Sequence, residues 1–179
     1  MGDKEGEAAD NGNLGISFHS LGEYDKAKEY HEEALRIRRE INDMKGQAAS
    51  HTNIGNVFRS LGEYEDAVKY YEEALTISIA ISDTEGKGSS YGNLGAVLSS
   101  LGKHSEAEKH LEKALAIRKT IGDRKGEATD YSNLGILSRA LKNHDKAEDY
   151  HQKALRIRNE IGDREGEIAD CGNLGTLFR

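Results

Sequence analysis

Apolar and small residues recur along this chain at helical spacing, and alternation with period two is absent. From Ala9 through Leu14, Gly15 and Phe18 to Leu21 they mark one face of a first helix. Asp3 precedes that run as a natural N-cap, with Glu7 in the first turn, so the helix is expected to begin near Asp3. It is expected to stop at Gly22, a residue suited to the left-handed conformation that ends helices. From Tyr24 to Ile41 a second stripe runs through Ala27, His31, Ala34, Leu35 and Ile37, with Glu, Lys and Arg between. That pattern predicts an amphipathic helix of about 18 residues, roughly 27 Å long.

The same pair then recurs every 40 residues without an insertion. Asp3, Asp43, Asp83, Asp123 and Asp163 hold one position, and Asn13, Asn53, Asn93, Asn133 and Asn173 another. Gly62 and Gly102 repeat the helix stop of Gly22, and Lys142-Asn143 fills that place later. The expected organisation is one array over residues 1–179, with repeats 3–42, 43–82, 83–122 and 123–162 and a half repeat 163–179. Ala27 and Ala34 lie seven apart with counterparts in every repeat, so a neighbouring helix can approach closely. Gly15, Gly55, Gly95, Gly135 and Gly175 each cost about 1 kcal/mol against alanine inside a helix and are expected to mark backbone contacts.

Composition narrows the picture. With 36% hydrophobic and 32% charged residues, a single large core is excluded, and apolar surface must be hidden between neighbouring hairpins. The 25 basic and 32 acidic residues leave a formal charge of −7, which disfavours nucleic acid and anionic membranes as partners. The one cysteine, Cys171, forms no intrachain disulfide and fits a reducing compartment. No apolar run reaches the roughly 18 residues of a membrane span, no signal pattern opens the chain, and Gly6 breaks a myristoylation motif. A soluble, cytoplasmic protein is expected.

Leu14-Gly15, Phe18, Gly22, Tyr24, Ala27 and Ala34-Leu35, with their counterparts in each unit, resemble the signature of the tetratricopeptide repeat. The period of 40 exceeds the usual value of about 34, and the proline that normally ends the second helix is absent, so that helix runs longer. The blocks Asn53-Ile54-Gly55-Asn56, Asn133-Leu134-Gly135 and Gly122-Asp123-Arg124-Lys125-Gly126-Glu127 look like the 40-residue variant of the LGN and Pins adaptors, whose G-protein-binding motifs this segment lacks. The resemblance implies an all-α fold: an α-solenoid, a right-handed superhelix of antiparallel helix pairs, about four and a half repeats long. It also implies a concave groove lined by the first helices, in which a scaffold or adaptor module holds a peptide from a protein partner.

By that geometry the candidate peptide-binding residues are Asn13, Asn53, Asn56, Asn93, Asn133 and Asn173, with Arg59 and Arg139. An amide offers donors and an acceptor, so a ladder of asparagines can pair with the main chain of an extended peptide, or can instead bond neighbouring repeats and fix their stacking. Arg59 and Arg139, with Ser99 between them and Arg179 one repeat on, can grip carboxylates of an acidic peptide, or can pair with acids of the chain itself. Gly12, Thr52, Gly92 and Ser132 stand where the family's chaperone-carboxylate clamp carries a lysine, which argues against that activity.

The seven histidines offer no H-x3-H spacing, so no metal and no cofactor are expected, and His31 and His151 read as packing residues. Cys171, in the place of Tyr91 and Tyr131, reads as a small packing residue or as an exposed thiol. Glu32, Glu33, Glu72, Glu73 and Lys113 read as a solvated face. A catalytic centre needs convergent groups that a linear array does not offer, so no enzyme is expected. The alternative to an adaptor is a structural, self-assembling solenoid: Leu174, Leu177 and Phe178 are apolar on the last helix and could dock head-to-tail on another copy. An RNA-binding repeat would need recurring base-reading side chains on a basic face, and none recurs.

Overall fold

The structure, a computed structural model, describes residues 3–176. Among the described residues there are nine α-helices and no strand: α1 (Lys4–Ser20), α2 (Tyr24–Glu40), α3 (Met44–Leu61), α4 (Tyr64–Ala80), α5 (Thr84–Ser100), α6 (His104–Ile121), α7 (Arg124–Ala140), α8 (His144–Ile161) and α9 (Arg164–Gly175). Leu177, Phe178 and Arg179, invoked above at the chain end, lie outside the described residues. The fold is that of stacked helix hairpins. Two compact units divide between Ser90 and Tyr91, inside α5. In the first, α1 packs on α2, α2 on α3 and α3 on α4, and in the second α6 packs on α7, α7 on α8 and α8 on α9.

The helix starts follow from one side-chain device. Asp3, Asp43, Asp83, Asp123 and Asp163 each accept a hydrogen bond from the backbone N–H three residues on, at Gly6, Gly46, Gly86, Gly126 and Gly166. The stops are equally local. Gly62 has φ +78°, and the N–H of Glu63 donates back to the carbonyl of Phe58 at 2.9 Å. Lys142 takes the same left-handed conformation at φ 60° without being glycine, as the Lys142-Asn143 substitution in the sequence implied.

Each hairpin is held by small residues and one large one. Ala27, Ala34, Ala67, Ala74, Ala107, Ala114, Ala147 and Ala154 are completely buried. The glycines at 15, 55, 95 and 135 differ from expectation in what they approach. Each faces first a bulky side chain of its own repeat's second helix, His31, Tyr71, Leu111 and His151 respectively, and only Gly95 among these four is also close to backbone, at Leu111 N. Those side chains are themselves buried, so a glycine opposite each makes the room they occupy. Cys171 departs from the packing reading: it is exposed on α9.

A methyl group at position 55 would sit 2.7 Å from the Tyr71 ring, whose hydroxyl is tied to Asn56 and cannot swing away freely. Gly55→Ala is therefore expected to lower stability by about 1–3 kcal/mol despite alanine's better helix propensity. Urea denaturation reads this directly, and a variant with a raised midpoint would contradict the packing argument.

Candidate functional site

The chemistry of the array concentrates where one repeat meets the next. Near the end of the second helix stands Arg38, Arg118 or Arg158, half-buried or buried, reaching the capping aspartate and the first helix of the following repeat. Arg38 Nη1 donates to the Gly46 carbonyl at 3.0 Å and to Ser50 Oγ at 2.7 Å, with Asp43 3.9 Å away. Arg118 Nη1 donates to Asp123 at 2.5 Å. Arg158 donates to Asp170 Oδ2 at 2.6 Å and to Asp163 Oδ2 at 2.7 Å, and Ser132 Oγ donates to Asp170 Oδ1 at 2.7 Å. The capping aspartate thus serves twice: one oxygen caps a helix and the other faces a guanidinium.

Ionisation follows these partners. Asp170 is fully buried, which on its own raises a carboxyl pKa, but hydrogen bonds from His151, Ser132 and Arg158 outweigh burial and hold it below the usual range. Asp130 occupies the same place one repeat earlier with poorer support. Its Oδ2 accepts no hydrogen bond, and burial pushes its carboxyl up to about 7 against the pull of the Arg118 guanidinium, whose Nε lies 3.9 Å away.

In the second repeat the corresponding space is a cavity of about 290 Å³. Its walls come from α3 (Lys45, Ala48, Ala49, Thr52, Asn53), the end of α4 (Ser78), Asp83, and the start of α5 (Glu85, Gly86, Ser89, Ser90). Ala49, Thr52 and Asn53 of α3 and Ser89 of α5 lie on first helices, the elements expected to line the groove, and all four border this cavity. Ser132, at the position equivalent to Thr52, instead lies buried in the Arg158 network.

The asparagines divide. Asn13 is exposed, whereas Asn53, Asn93, Asn133 and Asn173 are half-buried. The side chains of Asn13, Asn53, Asn93 and Asn133 make no hydrogen bond with another described residue. Asn56 is committed inside its own hairpin, accepting the Tyr71 hydroxyl at 2.8 Å, and burial pushes that phenol up to about 12. Arg59 is exposed on the last turn of α3, and Arg139 Nη1 donates to Thr176 Oγ1 at 2.7 Å. Thr176 Oγ1 in turn donates to the carbonyl of Asn173. Among the described residues no cluster of three or more His, Cys, Asp or Glu side chains could hold a metal ion, and no helix is long and apolar enough to cross a membrane. The Ser78 junction was not singled out in the sequence, although aligned repeats carry its signal: Arg38, Ser78, Arg118 and Arg158 share one position.

Capped helix hairpins stacked through polar junctions, with small and amide side chains along the first helices, define a helical-repeat protein of the kind that presents surfaces to other chains. The chain belongs to the tetratricopeptide repeat family, whose models match residues 12–43, 46–120 and 87–160. No curated protein matches the sequence. Among solved structures it resembles BtubC (BKLC) from P. vanneervenii at 20% identity and TM-score 0.78, covering 99% of this chain and 84% of that one. It resembles aspartyl phosphate phosphatase F from Bacillus subtilis at 18% identity and TM-score 0.84, covering 99% of this chain and 50% of that one. A Rap protein complexed with Competence and Sporulation Factor matches at 17% identity and TM-score 0.87, with 96% and 48% coverage. The chain thus spans about half the length of these last two proteins, and the likenesses establish the fold.

Asp130 gives the second unit a pH response of definite sign. Between about pH 4 and pH 7 the folded chain keeps a proton on Asp130 that the unfolded chain has released, so this residue's contribution to stability falls as pH rises through that window. Asp130→Asn should remove the effect: the variant gains on the wild type between pH 5 and pH 8 in urea midpoint. An unchanged difference at the two pH values would show that Asp130 titrates normally.

Proposed function

We propose that this chain is a protein-interaction module that holds an extended segment of a partner protein along α3 and the start of α5. One observation carries the reading: the cavity there is bordered by Ala48, Ala49, Thr52 and Ser89, side chains small enough to admit another backbone, together with the half-buried Asn53, whose amide makes no hydrogen bond among the described residues. An amide so placed can donate to a peptide carbonyl and accept from a peptide N–H, which binds the main chain largely regardless of side-chain sequence. Asn13, Asn93, Asn133 and Asn173 supply the same chemistry in the other repeats, and Asn56 orients Tyr71.

Arg59 lies ten positions beyond Ala49 on the same helix, about 15 Å along its axis. Its exposed guanidinium suits a carboxylate on the partner, and Arg139 offers the same group in the second unit. The Rap protein complexed with Competence and Sporulation Factor lends support as a protein of this fold with a bound factor. The likeness to aspartyl phosphate phosphatase F covers half of that protein, and the function proposed here is binding without a chemical step. The 40-residue unit's similarity to LGN and Pins repeats accords with an adaptor role, as does a cytoplasmic location. Head-to-tail self-association is the second reading, favoured by Ile168, which is 74% exposed on α9.

Selection of ligands from a random peptide library on the wild-type chain, followed by affinity measurement on variants, tests the proposal. Asn53→Leu should weaken a selected peptide about tenfold by removing paired main-chain hydrogen bonds, and Arg59→Glu should weaken acidic ligands selectively, both with helicity unchanged. Failure of any peptide to enrich, with light scattering that reports concentration-dependent oligomers, would favour self-assembly instead.

A further inference from the structure

The second repeat departs from its neighbours at the junction. Arg38, Arg118 and Arg158 share one position of the 40-residue unit, and Ser78 stands there in repeat 43–82. At the Ser78 junction the acceptors remain while the cation does not. Asp83 Oδ1 caps the Gly86 N–H at 3.1 Å, and its carboxylate forms no ion pair among the described residues. Ser90 holds the place of Ser50, the acceptor of Arg38. Ser78 and Ser90 are each 1% exposed, and the Oγ atoms of both lack a hydrogen-bond partner among the described residues. Buried hydroxyls without partners are unfavourable, and both of these line the 290 Å³ cavity.

The shape and charge of the space match one group. Gly86 keeps it open: a Cβ there would lie 2.5 Å from Asp83 Oδ2 and 2.6 Å from Ser78 Oγ. Asp83 and Glu85 border it with one cation, Lys45, which is exposed and makes no ion pair among the described residues. The volume falls at the lower limit of the roughly 300–1,000 Å³ typical of small-molecule sites, and is ample for one long side chain. In the first repeat a guanidinium lies against a serine hydroxyl, a glycine carbonyl and a capping aspartate, and those three acceptors recur here as Ser90, Gly86 and Asp83. A planar fork of donors suits acceptors so spread, whereas an ammonium meets fewer of them.

We propose that this cavity is a socket for an arginine side chain of the partner protein, whose guanidinium takes the place of the repeat arginine against Asp83, Ser90 and the Gly86 carbonyl. The inference rests on the peptide-holding surface proposed above, since Ala49, Thr52, Asn53 and Ser89 form both that surface and the rim of the socket. With Arg59 further along α3, the fitting partner carries an arginine and, beyond it along the groove, a carboxylate.

Titration of the isotope-labelled full chain with N-acetylarginine amide, followed by amide NMR shifts, tests the socket. The expected result is saturable shifts at Ser78, Gly86 and Ser90, with the neutral citrulline analogue at least about tenfold weaker. Ser78→Arg should fill the socket from within, abolish the shifts and raise the Tm. Asp83→Asn, which keeps a capping side chain, should weaken binding about tenfold. Equal shifts with arginine and citrulline amides, or an undiminished titration in folded Ser78→Arg, would overturn the socket. A capped Ala-Ala-Arg-Ala-Ala peptide completes the test: tighter binding with added shifts at Ala49 and Asn53 supports the partner assignment. Binding no tighter than the capped amino acid, with Asn53 unmoved, would overturn that assignment and the groove reading while the socket itself stands.

Discussion

Each repeat depends on an aspartate that opens its first helix. One carboxylate oxygen satisfies a backbone N–H that the helix start would otherwise leave unbonded, as Asp163 does for Gly166. At Asp43, Asp123 and Asp163 the other oxygen faces an arginine from the preceding repeat, as with Arg158 at 2.7 Å. Removing that arginine alone leaves a carboxylate and its neighbours without a counter-charge, which is costlier than never having built the pair. Helix initiation and repeat stacking are therefore coupled through one side chain, and the interval of 40 residues is the distance at which this coupling recurs.

Variation at this junction tunes it without moving the helices. The position that receives the guanidinium is Ser50, Ser90, Asp130 or Asp170. With serine, one neutral hydroxyl accepts from Arg38. With Asp170, a second negative charge is supported by His151, Ser132 and Arg158 together, and it stays ionised. Asp130 lacks that support: Gly92 stands where Thr52 and Ser132 supply hydroxyls, the Asp130 Oδ2 accepts no hydrogen bond among the described residues, and burial raises its pKa. The same residue at the same place in successive repeats thus has its pKa moved in opposite directions, because its neighbours differ by a hydroxyl and a ring nitrogen.

Much of the fold was legible because its determinants are local in sequence. Asp3 and its counterparts mark the helix starts, Gly22, Gly62 and Gly102 the stops, and the alanine pairs the buried face. The site was less legible because its determinants are between repeats. Asn53 and Asn56 look alike in sequence, yet Tyr71, fifteen residues on, claims only Asn56. Ser132 sits on the same helical face as Thr52, but Asp170 and Arg158 of the following elements draw it into a buried network. Gly55 signalled close contact, and only the packed hairpin reveals that the contact is a tyrosine ring.

In an array so regular, the informative positions are those where a repeat breaks its own rule while its partners keep theirs. Replacing Arg by Ser at position 78 removes a long side chain and a charge, yet Asp83, Gly86 and Ser90 keep the identities that would receive that charge. Had the junction drifted toward a purely structural solution, apolar side chains could have closed the space, since a well-packed apolar junction is commonly as stable as a buried ion pair. Instead, two buried hydroxyls and a carboxylate surround a cavity open toward the surface that carries Asn53. A polar cavity of this kind gains from a cation brought by another molecule what its neighbours obtain from their own chain, and that difference converts a stacking contact into a recognition site.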